Sequence, residues 1–277
     1  MPERTRNTTA GRKNTAPGFR GKKPFRQQKF PGRPGRPGAI DMAVIYGWHP
    51  VAEALGNPKR KFRRLLATEN SSKRLTETFP QLPIEPEIVR PEEISRLLEP
   101  DAVHQGLYLE ADPLRSPTLE TLSEDGIVLA LDQITDPHNV GAIVRTAAAF
   151  NVEAIITTAR HSPAATGVLA KSASGGLEHA PFLIVKNLAE SLITLGKRGF
   201  LRVGLDSDGE AELPALPLRH PLVLVLGAEG KGLRQRTREC CDYIGRLDMP
   251  GQIKSLNVSN AAAISLYAVT QALRQQG

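Results

Sequence analysis

Three polar, glycine-bearing stretches in the second half of this 277-residue chain hold the residue types from which a chemical site can be built. The first runs Asp132-Gln-Ile-Thr-Asp-Pro-His-Asn-Val-Gly-Ala-Ile-Val-Arg145. Asn139 stands where a helix cap belongs, and Gly141 permits close approach of a backbone or ligand. Arg145 follows six residues later, about 240° round a helix, with a side chain long enough to point back at the loop. The plain alternatives are a simple cap for Asn139 and a surface charge for Arg145, and His138 reads as a loop residue more than a base. The second stretch is Gly227-Ala-Glu-Gly-Lys-Gly-Leu233. It fails as a Walker phosphate loop, because Leu233 stands where Lys is needed, and it also fails as G-x-G-x-x-G. What remains is Glu229, an acid on a backbone able to wrap a small molecule, beside a solvated or phosphate-facing Lys231. The third stretch, Leu247 to Asn260, opens a long apolar helix, with Ser255 and Asn257 able to bind freed backbone groups.

These stretches need a scaffold, and the hydrophobic pattern supplies one. Apolar runs at Ile127–Leu131, Ala154–Thr157, Phe182–Val185, Leu201–Leu205 and Leu222–Leu226 predict strands. Helices are expected over Val140–Phe150, about 164–172, Leu188–Leu195, from about 233, and over about 258–274, with Tyr243–Leu247 extended. Alternation of this kind indicates a parallel sheet buried on both faces, with ligands at the loops leaving the carboxyl ends of its strands. Ahead of it, a smaller α/β unit is predicted. It has strands at Ala43–Tyr46, Phe62–Thr68 and Gly106–Glu110 and an extended Pro83–Val89. Its helices lie at His49–Leu55, after Thr68 through about 79, and at Pro91–Leu98. The expected organisation is a tail over 1–40, a small α/β domain over 41–111, a Pro-bearing linker over 112–124 and the larger domain over 125–277.

Charge separates the tail from the rest. Residues 1–40 carry eleven Lys and Arg against Glu3, with six Pro and six Gly, so the segment is +10 and residues 41–277 are −3 within a chain total of +7. So little apolar surface predicts disorder, and cations of one sign predict a polyelectrolyte arm for nucleic acid or, more plainly, a solubilising tail. Met42 is an alternative start. No apolar run approaches the roughly 18 residues of a membrane span, and no apolar segment follows the charges as in a secretory signal. Cys240 and Cys241 are adjacent, too close for an ordinary disulfide, and no Cys/His spacing offers zinc. A reducing cytoplasm fits.

Taken together, Asn139 with Arg145, Gly227-Ala-Glu-Gly230, and Ser255-Leu-Asn-Val-Ser259 resemble the three signature motifs of the SpoU (TrmH-like) branch of the SPOUT RNA 2′-O-ribose methyltransferases. The match covers about 125–277. In front of it, Ile45-Tyr-Gly-Trp-His49, Val51-Ala-Glu-Ala-Leu55 and His104-Gln-Gly106 resemble the small substrate-binding domain of the ribosomal-RNA members, nearest to the guanosine-2′-O-methyltransferases of large-subunit ribosomal RNA.

The resemblance implies an α/β fold with a deep trefoil knot, S-adenosylmethionine as cofactor, RNA as partner, and a homodimer with the site near its interface, without metal or membrane. It assigns Gly227, Leu247 and Leu256 to the cofactor pocket. Asn139, Arg145, Glu229, Ser255 and Asn257 fall to catalysis, with Arg145 activating the 2′-hydroxyl. A guanidinium stays charged in proteins, so Arg145 either loses a proton transiently or stabilises a developing alkoxide electrostatically; Glu229 is the ordinary base of the set. Asp248 and Asn260 depart from the family pattern, where Pro and a small apolar residue are usual. Transfer RNA is the rival substrate, though tRNA-directed relatives commonly lack a front domain. A noncatalytic RNA-binding or assembly protein is the rival class, and a generic dinucleotide enzyme is a distant third.

Overall fold

The computed structural model describes residues 42–159, 173, 175–252 and 255–275. The basic tail and the helix expected over about 164–172 lie outside the described residues.

The larger sheet is built from β5 (Ile127–Asp132), β6 (Ala154–Thr158), β7 (Phe182–Val185), β8 (Leu201–Leu205), β9 (Ala211–Glu212), β10 (Leu222–Gly227) and β11 (Tyr243–Arg246). Its order is β7-β6-β5-β10-β8-β11-β9, and every pairing is parallel. Successive side chains of a strand point to opposite faces, and both faces are buried. Ile127, Leu129 and Leu131 join Leu222, Leu224 and Leu226 in one core. Val128 and Ala130 join Val223 and Val225 in the other. Helices α4 (Pro137–Ala149) and α7 (Val258–Arg274) cover the first face, contributing Val140, Ile143, Val144, Ala262, Leu266 and Val269. Helix α5 (Leu188–Lys197) covers the second with Leu188, Leu192 and Leu195. The short α6 (Gln235–Arg238) leads toward β11. The two-residue β9 escaped the hydrophobic pattern, being too short to show a period.

The smaller sheet has the order β1-β4-β2-β3, from β1 (Ala43–Tyr46), β2 (Phe62–Ala67), β3 (Pro86–Ile88) and β4 (Leu107–Ala111). Helices α1 (Trp48–Gly56) and α2 (Glu69–Thr78) bury Trp48, Val51, Leu55 and Leu75 against Leu65, Leu107 and Leu109. The expected helix Pro91–Leu98 is shorter: α3 spans Pro91–Ser95. Ile94 is its buried side chain while Leu97 stays half exposed, so little packing holds a further turn.

Candidate active site

The register of the central pair decides where the chemistry gathers. Gly227 at the end of β10 stands opposite Asp132 at the end of β5, so the first and second polar stretches leave the sheet side by side. Asp132 is buried, and its carboxylate accepts from Arg234 Nε at 2.6 Å and from the Arg234 backbone N–H at 3.0 Å. This pins the far end of the glycine loop to the start of the first loop. Between those pins the loop folds back on itself, with Ala228 bridged to Gly232. A Cβ on Gly227 would fall 2.2 Å from the carbonyl carbon of Gly232, so only glycine allows the crossing.

The first loop differs from expectation at its cap. Asp136, not Asn139, caps α4, accepting from the backbone N–H groups of His138 and Asn139 at 2.8 and 3.0 Å. Pro137 takes the first helical position, which suits its fixed φ and missing N–H, so the helix starts three residues before Val140. The Asn139 side chain is thereby released to reach the third loop, and its Oδ1 accepts from Asn257 Nδ2 at 2.9 Å, across 118 residues of sequence. Asn257 caps α7, its own Oδ1 accepting from the Ser259 N–H and hydroxyl. Arg145 lies farther along α4, exposed, and makes no hydrogen bond or ion pair among the described residues. His138 is exposed at the start of the helix.

Beside this junction opens a cleft of about 1080 Å³. Gly227, Glu229, Leu247, Ser255 and Leu256 all line it; Asn139, Arg145 and Asn257 are not among its walls. Leu226 and Val258 add apolar surface, and the polar edge mixes acids with Lys231, Arg238 and Arg246. The expected cofactor residues are therefore together. The Asn139–Asn257 pair is joined beside them, and Arg145 stands apart from both groups.

Sequence reasoning missed one wall, the loop after β8. Asp206 accepts from the Leu233 N–H and pairs with Arg238 at 3.3 Å, and both line the cleft with Asp208 and Arg246. Its signal was available: Asp206-Ser-Asp-Gly209 leaves an apolar strand at the same end as the other loops. Asp248, one of the departures from the family pattern, pairs with Arg246 at 2.7 Å. It also shares a hydrogen bond with Glu212, which with its charge holds the Glu212 carboxyl above the ordinary carboxylate range. Asn260 is exposed on α7. No group of three or more His, Cys, Asp or Glu able to hold a metal occurs among the described residues.

Comparison with known proteins agrees with this geometry. Residues 126–267 match the model of the SpoU rRNA Methylase family, and residues 44–117 match that for RNA 2′-O ribose methyltransferase substrate binding. The chain is 36% identical over 244 residues to the 23S rRNA (guanosine-2′-O-)-methyltransferase RlmB of Pseudomonas putida, covering 85% of this chain and 97% of that protein. It is 37% identical over 241 residues to the Pseudomonas aeruginosa protein of the same name, covering 84% and 96%. Among solved structures it is similar to the SpoU methyltransferase AviRb from Streptomyces viridochromogenes in complex with AdoMet. There the TM-score is 0.71 and the identity 26%, covering 85% of this chain and 91% of that one.

Proposed function

Because the chain belongs to the SpoU rRNA methylase family, we infer that it is an S-adenosylmethionine-dependent RNA methyltransferase acting on a guanosine ribose 2′-hydroxyl of 23S-type ribosomal RNA. The observation that carries the reading is the cleft itself, where glycine-bearing loops distant in sequence meet at the carboxyl edge of a parallel sheet. Its walls suit the cofactor. Leu226, Leu247, Leu256 and Val258 offer apolar surface to a purine. Asp206 and Asp248 are matched by Arg238 and Arg246, which leaves Asp208 and Glu229, beside Lys231, as the carboxylates for cationic sulfonium and ammonium groups. Gly227 lets the loop cross itself tightly at the cleft wall, where a Cβ would strike the Gly232 backbone. When bound there, the cofactor supplies an electrophilic methyl group.

The protein itself must prepare the acceptor. A ribose hydroxyl is a poor nucleophile while protonated, so its proton must leave as the carbon approaches. We assign Arg145 to the charge that develops on that oxygen, its permanent cation stabilising an alkoxide and holding the neighbouring phosphate. Glu229 is the carboxylate on the cleft wall suited to take the proton. Asn139, Asn257 and Ser255 hold the loops in register around the ribose. The four-stranded unit, 41–111, presents the RNA, and 112–124 links it to the transferase domain, 125–277.

The same reading extends to a knotted C-terminal segment, a cytoplasmic protein and a homodimer. Support for pairing is that α7 keeps Ile264 and Tyr267 about half exposed; light scattering of the purified chain tests it. No helix among the described residues is long and apolar enough to cross a membrane.

The deciding experiment supplies radiolabelled S-adenosylmethionine with bulk ribosomal RNA and bulk tRNA side by side. Label in large-subunit RNA, in nucleotides resistant to alkaline cleavage, is the expected result. Label in tRNA alone would overturn the substrate, and no transfer to either, even with precursor particles, would favour a noncatalytic RNA-binding role.

A further inference from the structure

Arg145 makes no side-chain hydrogen bond or ion pair among the described residues, so its placement rests on packing around its turn of α4. The backbone of that turn is touched by a short strap. Gly176 opens a single 3-10 turn, Gly176–Glu178, and a Cβ on Gly176 would lie 3.0 Å from the Val144 carbonyl oxygen and 3.1 Å from the Arg145 Cα. The neighbouring glycine faces the other way. Gly175, at φ 88°, would place a Cβ 2.4 Å from Glu53 Cγ on α1 of the small domain. Two consecutive glycines thus let the strap lie between α1 and the turn of α4 that carries Arg145.

The strap is anchored from the small-domain side. Glu178 is almost wholly buried, as is Arg60, and the two meet through Arg60 Nε at 2.9 Å and Nη2 at 2.7 Å. Asn57 Nδ2 adds a third bond to the same carboxylate at 2.8 Å. Arg60 also donates Nη1 to the Asp112 carbonyl, so all three of its side-chain nitrogens are engaged. A buried pair of this kind is weak evidence for net stability and better suited to fixing one arrangement among several.

We infer that Glu178 is a positioning residue: through Gly176 it makes the placement of Arg145 depend on docking of the small RNA-presenting domain against the transferase domain. The catalytic arginine is then set only when the domain that carries substrate is seated. The inference rests on the assignment of Arg145 to methyl transfer.

Steady-state kinetics of the full chain on large-subunit ribosomal RNA test it, with cofactor affinity measured by calorimetry. Glu178→Gln, Arg60→Ala and Gly176→Ala should each lower kcat by about tenfold to a hundredfold, with cofactor affinity unchanged. The double variant Arg60→Ala/Glu178→Gln should lose no more than the worse single one, since both break the same link. Should Glu178→Gln fail to fold, Arg60→Lys keeps the charge and loses the fork, and the same fall in kcat is expected. Lowered melting temperature with wild-type kcat, or losses that multiply in the double variant, would overturn the inference. Arg145→Ala is run in parallel. If it is inactive while the strap variants turn over normally, the inference alone is overturned; if it stays active, the assignment of Arg145 falls, and the inference with it.

Discussion

Asn257 donates to Asn139 while its own oxygen caps α7, so one amide closes the third loop and ties it to the first. Both ends of that amide are used, which fixes its orientation. Capping and linking can be separated by Asn257→Ser, because serine caps well but is too short to reach Asn139. With the cap kept, stability should fall by no more than the worth of that one bond, about 1 kcal/mol. Loss of one neutral hydrogen bond, worth about 1 kcal/mol, should lower kcat roughly fivefold. Thermal melts alongside single-turnover transfer check both halves; a stability loss with unaltered kcat would make the pair a cap and nothing more.

Arg145 is exposed and unpaired among the described residues, so the fold does not depend on it. Arg145→Ala should leave stability within about 0.5 kcal/mol and cofactor binding intact. Transfer should fall by about a hundredfold to a thousandfold, the cost of removing a group aimed at developing charge. Arg145→Lys should not restore it, since a point charge cannot reproduce the planar fork on a phosphate. Rapid-quench transfer assays with calorimetric cofactor titrations decide the matter.

How far these features were legible in the sequence differs by element. Strands such as Leu222–Gly227, apolar at every position and too short for a helix between its flanking turns, announce a doubly buried sheet. Gly227, Leu247 and Leu256 were found through motif resemblance and do line one cleft. The cap was misread because Asp136 and Asn139 are both good cap residues. The choice fell to Pro137, whose place at the first helical position sets the start. The Asp132–Arg234 pin escaped notice because its partners lie 102 residues apart. Local periodicity carries no information at that range; only the strand order of the folded sheet brings them together.

Gly227 offers a sharp test of the cofactor reading. Its Cβ would meet backbone atoms of Gly232 and Leu233 at 2.2 to 2.6 Å, which no side-chain rotation relieves. Gly227→Ala must open the loop, and S-adenosylmethionine affinity should weaken at least tenfold, about 1.4 kcal/mol. Gly251→Ala is the matched control: a Cβ there meets nothing within 4 Å among the described residues and its φ is not positive, so affinity should be unchanged. Equal affinities in both variants would remove the glycine loop from the cofactor site.

The tail makes a prediction about salt rather than chemistry. With eleven cations and one acid in residues 1–40, each phosphate it engages contributes about −0.7 to the log–log salt slope for single-stranded RNA. Deleting residues 1–40 should weaken RNA binding at low salt and flatten that slope, while kcat at saturating RNA stays the same. Filter binding over a salt series reads it directly, and an unchanged slope would reduce the tail to a solubility device.

The Asp132–Arg234 pair should respond unequally to loss of its two members, because their surroundings differ. Asp132 has no exposed side-chain surface, whereas Arg234 is 43% exposed. Removing the acid leaves a guanidinium that can turn to water. Asp132→Asn also keeps an acceptor for the Arg234 N–H, so the cost should be about 1–2 kcal/mol. Removing the base takes the charge partner from an interior carboxylate and leaves it the backbone N–H alone, so Arg234→Ala should cost more, about 3 kcal/mol. Both variants loosen the far end of the glycine loop, keeping at most the backbone N–H bond, and should therefore weaken cofactor binding together, whatever their difference in stability. Urea denaturation and cofactor titration of the two proteins separate the effects. If Asp132→Asn proves the more damaging to stability, the carboxylate holds more than Arg234, and the pin lies elsewhere.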